Sequence, residues 1–139
     1  MKISTRSRYG LRAMLELSRE YGEGPVTART IASREGMSVP YLEHLLAGLR
    51  QAGLVRSVRG PGGGFELAMR PEEISLLSIV KALDGPVVLC DCFEQTNEKL
   101  PCDRLDSCSA KALWEELSAN IEKALEATKL ANISGSANE

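Results

Sequence analysis

Four cysteines, Cys90, Cys92, Cys102 and Cys108, stand in the pattern C-x-C-x9-C-x5-C within nineteen residues. Thiolates bind soft and borderline metals, and a loop without regular structure can wrap a cluster. No tight C-x2-C pair is present, which argues against a common zinc ribbon or finger. Where thiols stay reduced, clustered cysteines serve as metal ligands or redox sensors rather than structural disulfides. An iron–sulfur cluster is therefore the leading reading, ahead of a zinc site or thiol switch, with plain packing residues last.

A second constellation is suited to reading DNA. Two short β-prone runs, Leu54 to Val58 and Phe65 to Ala68, flank a Pro61-Gly62-Gly63-Gly64 turn. Glycines at such a tip adopt positive φ without a Cβ clash, so the stretch predicts a hairpin. Arg59 and Gly60 sit just before its tip, where an arginine can enter the negative minor groove. Ahead of the hairpin lies a leucine-rich helix opened by Ser38. An α-helix fits the major groove, and its first turns can present Ser38, Val39, Pro40, Tyr41, Glu43 and His44 to base edges. Glu43 can accept a hydrogen bond from the cytosine amino group, which makes it an element of specificity rather than affinity; a solvated helix carboxylate is the alternative. Arg50, with Arg6, Arg8, Arg29 and Arg56, is a candidate for phosphate contact. His44, the sole histidine, is read as a DNA contact or an exposed side chain in preference to a metal ligand.

The elements that must position these residues follow from periodicity and caps. Tyr9, Ala13, Met14 and Leu17 predict a helix over residues 5–21, with Arg8, Arg12, Glu16 and Arg19 mostly off its apolar stripe. Thr27 is the expected N-cap of a short helix reaching Arg34, and Gly36 makes the following turn. Ser38 caps a third helix, with Pro40 tolerated in its first turn and Leu42, Leu45, Leu46 and Leu49 on its inner face. Pro71-Glu72-Glu73 is expected to start a fourth helix that carries Ile74, Leu77, Val80 and Leu83 inward until Asp84-Gly85-Pro86 breaks it. Residues 87–108 show little periodicity. From Ser109 to about Leu130 a helix of about 30 Å is predicted from Leu113, Leu117, Ile121 and Leu125, and the tail beyond is expected to fray. A basic hairpin after a serine-capped helix outlines a winged helix-turn-helix; an ordinary hairpin in a small α/β domain is the alternative.

Charge is divided along the chain. Of the 139 residues, 43% are hydrophobic, enough for a core. Residues 1–70 hold 11 Lys and Arg against 6 Asp and Glu, a balance of +5, whereas residues 71–139 hold 6 against 13, a balance of −7. The front half is thus the part expected to meet a polyanion. No stretch approaches the roughly 20 apolar residues of a membrane span. The first residues lack the features of a signal peptide, so a cytoplasmic protein is expected. No Gly-rich nucleotide loop joins a strand to a helix, and the lone histidine has no partnered nucleophile, which makes an enzyme the weakest class.

Four landmarks give the chain a close resemblance to the IscR/NsrR family of bacterial winged-helix iron–sulfur regulators. They are Arg8-Tyr9-Gly10-Leu11-Arg12-Ala13-Met14, Tyr41-Leu42-Glu43, the run from Gly53 through Gly64, and the cysteine block with Leu113-Trp114. The resemblance implies a homodimer with crossed long C-terminal helices on palindromic promoter DNA. It also implies an iron–sulfur cluster, 2Fe–2S in preference to 4Fe–4S, whose loading changes which sites are bound. Cys92, Cys102 and Cys108 fall on the family's three cysteine ligands. Glu43 matches the glutamate that separates two classes of DNA site, and Arg59 the wing arginine. The fourth ligand departs from the pattern. Lys111 stands where IscR has histidine, and Arg8 where some NsrR proteins have aspartate. Cys90 is the obvious substitute, with Asp91, Glu94, Asp103 and Asp106 open as well.

The expectation is a mainly α protein with a small β-hairpin wing. Residues 1–84 would form a winged helix-turn-helix, 85–108 a cysteine-rich cluster-binding loop, 109–133 a dimerisation helix, and 134–139 a frayed tail. Its function would be a homodimeric transcription regulator binding double-stranded promoter DNA, with no membrane partner. It would sense iron–sulfur cluster status and control cluster-biogenesis genes. A nitric-oxide or thiol-redox responsive repressor of the same fold is the alternative.

Overall fold

The structure, a computed structural model, describes residues 2–90 and 108–136. Helix α1 (Thr5–Arg19) begins because Ser4 is extended and its Oγ accepts the Ser7 amide at 3.0 Å. Helix α2 (Ala28–Glu35) is opened in the same way by Thr27, whose Oγ accepts the Thr30 amide at 3.1 Å, and is closed by Gly36 at φ 66°. Helix α3 (Val39–Gln51) follows at once, with the Ser38 Oγ accepting the Tyr41 amide at 3.3 Å. Each such cap contributes about 1 kcal/mol, small beside the burial it sets up. Leu42, Leu45, Leu46 and Leu49 of α3 are all essentially inaccessible. At roughly 1.5–3 kcal/mol for each buried leucine, packing rather than propensity holds this helix.

The core runs from Met14 and Leu17 of α1 through Ile31 of α2 to the leucine face of α3. Glu16 departs from its expected place off the apolar stripe of α1. It is 5% exposed, and its two oxygens meet Arg19 at 2.7 Å and Arg34 of α2 at 3.2 Å. A carboxylate is tolerated there because both oxygens are paired, and the pairing ties α1 to α2.

The predicted hairpin is present as β1 (Val55–Val58) and β2 (Gly64–Leu67), antiparallel, with Val55 opposite Leu67 and Val58 opposite Gly64. A third segment joins it. Val26, just ahead of α2, exchanges both backbone hydrogen bonds with Phe65 at 2.8 Å. A two-stranded hairpin is marginal alone. This bridge, with Val55 and Leu67 buried beneath it, fixes the hairpin against the helix-turn-helix.

Downstream the structure differs from the sequence expectation in two ways. The fourth helix does not start at Pro71. Residues Pro71–Glu73 form a 3-10 turn, Ile74 is extended and fully buried, and α4 (Leu76–Asp84) opens on Ser75, whose Oγ accepts the Ser78 amide at 3.1 Å. The long C-terminal helix is also divided. Helix α5 (Lys111–Ala127) stops at the extended Thr128, and a separate helix, α6 (Leu130–Ser136), follows and reaches into the first residues of the tail expected to fray. Both departures have one cause. The Leu76 amide donates to the Thr128 carbonyl and the Leu130 amide to the Ile74 carbonyl, each at 2.8 Å, and Ser75 faces Lys129 across this bridge. Backbone groups that would have continued two helices pair with each other instead. The bridge lowers Leu130 into the main core at 0% exposure. Ile121 and Leu125 of α5 pack on a smaller cluster of Leu77, Val80 and Val87.

Candidate nucleic-acid interface and thiol site

One face of α3 is committed to the core, so the opposite face is left outward by geometry. It presents Pro40, Glu43, His44, Ala47, Arg50 and Gln51, with Ser38 exposed at the cap. Ser38, Pro40, Glu43 and His44 thus share the N-terminal half of one exposed helix face. Tyr41 behaves differently from its neighbours. It is half-buried, with its ring edge-on to Tyr9 of α1 at 6.0 Å between centroids and 86° between planes. The Arg12 guanidinium lies 4.9 Å from the Tyr9 ring centre and also pairs with Glu35 at 3.1 Å. Tyr41 therefore braces the start of α3 against α1 as well as standing near its outward face.

The hairpin tip carries Arg59 and Gly60, both exposed. Gly60 and Gly62 have φ of 95° and 77°, and the Gly63 amide donates to the Gly60 carbonyl at 2.9 Å. A Cβ on Gly63 would strike the Val58 carbonyl oxygen, and one on Gly64 would lie 2.5 Å from the Val26 carbonyl oxygen. At Gly63 and Gly64 nothing larger than glycine fits, which keeps this side of the tip narrow. Arg56 and Glu66 pair across the strands at 2.7 Å, which gives Arg56 a partner on the protein. Arg50 donates to the Ser57 Oγ at 3.3 Å, linking the end of α3 to the hairpin. Arg8 donates to Thr5 at 3.3 Å, and Arg29 is exposed on α2.

Sequence reasoning misses the supports of this surface. Val26 gives no periodic signal because it makes a single bridge. Tyr9 reads only as part of the apolar stripe of α1. Asp84, which reads only as a helix breaker, accepts hydrogen bonds from the hydroxyls of Ser4 and Ser7, both at 2.6 Å, and lies 3.4 Å from Arg6. Burial raises its pKa, but the hydrogen bonds from Ser4 and Ser7 and the Arg6 charge more than offset this, and the carboxyl sits below its usual range.

Of the four cysteines, Cys90 and Cys108 fall within the described residues, one half-buried and the other exposed, both as free thiols. Cys92 and Cys102 lie outside them, as do Asp91, Glu94, Asp103 and Asp106. Among the described residues no group of three or more His, Cys, Asp or Glu is assembled as a metal site. Lys111 occupies the first turn of α5 and lies 3.9 Å from Glu115. Among the described residues no helix is long and apolar enough to cross a membrane.

Comparison with known proteins matches residues 3–135 to the Rrf2 profile, described as an iron-dependent transcriptional regulator. The regulator IscR of Aliivibrio salmonicida is 38% identical over 133 residues, covering 96% of this chain and 77% of that protein. The structure of CymR, the global cysteine regulator of B. subtilis, superimposes with a TM-score of 0.76 at 36% identity, covering 97% of both chains. That of IscR from T. potens gives 0.76 at 38% identity, covering 99% of this chain and 88% of the other.

Proposed function

Because the chain belongs to the Rrf2 family of transcriptional regulators, we propose that it is a homodimer that reads promoter DNA and responds to iron–sulfur cluster supply. The observation that carries the reading of DNA is the outward face of α3 beside an anchored arginine-tipped wing. In this reading Ser38, Pro40, Tyr41, Glu43 and His44 meet base edges and the adjoining sugar–phosphate in the major groove. Arg59 and Gly60 enter the minor groove, and Arg50 meets phosphate. Related regulators being named for transcription rather than for a reaction, the chain is not an enzyme.

Helix α5 supports the homodimer. None of its residues is buried within one chain, and Leu113, Trp114 and Leu117 are 51%, 37% and 39% exposed. A second copy of the same helix would cover them. With the cytoplasm as the expected site of action, the thiols would stay reduced and available.

For the sensor, the donor chemistry fits an iron–sulfur cluster. Cys90 and Cys108 are free thiols with no disulfide partner among the described residues. Cys92, Cys102 and Cys108 would hold the cluster, with Cys90 the candidate fourth ligand and 2Fe–2S the preferred type. When bound, the cluster supplies a redox-active crosslink among the cysteines. The genes controlled would be those of cluster biogenesis. The test is an absorption spectrum of anaerobically purified protein, with iron and acid-labile sulfide counted per chain. Visible charge-transfer bands with matched iron and sulfide support the reading. A colourless dimer that resists reconstitution yet binds DNA overturns it. That outcome favours the second reading, a thiol-redox or nitric-oxide responsive repressor. Its specific support is the likeness to CymR, a regulator of cysteine, over 97% of this chain.

A further inference from the structure

Helices α1, α3 and α4 enclose an open groove of about 440 Å³ beside the outward face of α3. Its polar lining is Arg6, His44, Arg50 and Gln51, and Gly48 and Leu83 are part of its apolar lining. No carboxylate lines it among the described residues. A Cβ on Gly48 would stand 3.3 Å from the Leu83 Cδ2, so the glycine keeps that wall low. The concavity thus gathers two arginines, a histidine and a glutamine over an apolar base, with the Arg50 guanidinium also donating to the Ser57 Oγ at 3.3 Å.

One acid stands at its edge. The Asp84 carboxylate takes hydrogen bonds from the Ser4 and Ser7 hydroxyls at 2.6 Å, while Arg6 reaches it only at 3.4 Å and remains 55% exposed. The two short hydroxyl bonds hold the carboxylate in place, and Arg6 is its longest contact. Arg6 can therefore leave Asp84 for a stronger anionic partner without undoing the α1–α4 junction. A phosphate offers planar guanidinium groups paired charge-assisted bonds of about 2.8 Å, shorter than the contact Arg6 has now.

We propose that this groove is the seat of a backbone phosphate of duplex DNA, held by Arg6, His44 and Arg50, with Asp84 competing for Arg6. The proposal rests on the reading of α3 as a DNA-reading helix. With α3 in the major groove, the backbone of a flanking strand would pass beside that helix, on the side where this groove opens. The same chemistry would accept a free phosphate or a phosphorylated metabolite, so the test separates these sources.

The experiment measures binding of the full-length dimer to two duplexes over a salt series. One is selected from a random pool by the wild-type protein, and the other is unrelated and of equal length. For Arg6→Ala the slope of log K against log salt becomes shallower by about 0.9 for each phosphate no longer neutralised, and by the same amount on both duplexes. Asp84→Asn tightens binding in the wild-type background and has no effect in the Arg6→Ala background, because it acts through Arg6. Ser7→Ala loosens the junction while keeping the carboxylate, and it leaves the slope unchanged. An unchanged slope for Arg6→Ala on both duplexes overturns the proposal. So does saturable binding of inorganic phosphate to the DNA-free dimer at micromolar concentration, read from the His44 ring resonances, which would mark a small-anion site. If the wild-type protein selects no duplex at all, the underlying reading of α3 fails instead, and the two failures are distinct.

Discussion

Leu130→Ala tests whether the C-terminal segment completes the core of the DNA-reading half. Leu130 is 0% exposed and packs in one cluster with Met14, Leu17, Ile74 and Ile79. Truncation removes three carbons, about 2.4 kcal/mol of transfer at roughly 0.8 kcal/mol per methylene. The space left between helices held by other contacts adds a cavity cost, which places the loss near 3 kcal/mol within the usual range of about 2–5. Urea unfolding at fixed protomer concentration reads this directly, since any oligomer makes stability concentration-dependent. With an m-value of about 2 kcal/mol/M, the midpoint falls by about 1.5 M. Fluorescence of Trp114, the only tryptophan, and far-ultraviolet dichroism supply two probes. Lys123→Ala, an exposed change on α5, is the control and should stay within about 0.5 kcal/mol. If Leu130→Ala costs no more than the control, α6 contributes nothing to the core and the reasoning fails.

Other perturbations probe the wing, the junction and the reading face. Gly64→Ala places a Cβ against the Val26 carbonyl at a φ of 154°; it should destabilise by about 1–3 kcal/mol, and a calorimetric transition unchanged from wild type would contradict this. Asp84 has a pKa lowered on folding, so its stabilising contribution is present above the unfolded carboxylate pKa and is lost as pH falls through the folded one. The stability gap between wild type and Asp84→Asn should therefore shrink in acid, and a gap independent of pH would refute the pairing. Glu43→Ala should relax discrimination between duplexes, whereas Arg59→Ala should lower affinity by about 1–3 kcal/mol, both read by titration against a panel of sequences. Equal losses on every sequence from Glu43→Ala would remove its proposed role in specificity.

The legible parts of the fold are those encoded locally. Thr27 and Ser38 are readable as caps because a hydroxyl three residues ahead of a free amide has one geometric use, and both make that bond. The wing is readable because three successive glycines after a proline have few other places in a core-forming chain. The split of the long helix is not readable. Thr128 breaks it only because Leu76 and Ile74, more than fifty residues earlier, supply alternative backbone partners. Ile74 likewise fits the helical spacing of Leu77, Val80 and Leu83 and yet is extended, since its carbonyl is taken by Leu130. Glu16 escapes the helical pattern for the same reason: its burial depends on Arg34 of another helix. For the candidate interface, the outward residues of α3 follow from its leucine pattern. The bracing of Tyr41 by Tyr9 and the meeting of Arg6 with Asp84 require the tertiary structure.

Leu83 sits where three helices meet, one methyl over Gly10 of α1 and the other over Gly48 of α3. A Cβ on Gly10 would collide with the Leu83 Cδ1, so the side chain fills a notch cut by two absent side chains. Such a tooth cannot travel by small increments, because a close-packed interior has no intermediate seat for it. Beyond the end of α4 the chain continues to the half-buried Cys90, and the notch on its other side belongs to the helix that bears Glu43. Movement passed along that route would be stepwise, like a detent in a ratchet, with either the present seat or another one occupied. In the regulator proposed above, a tooth seated in this way would favour a switch between discrete states over a graded bend.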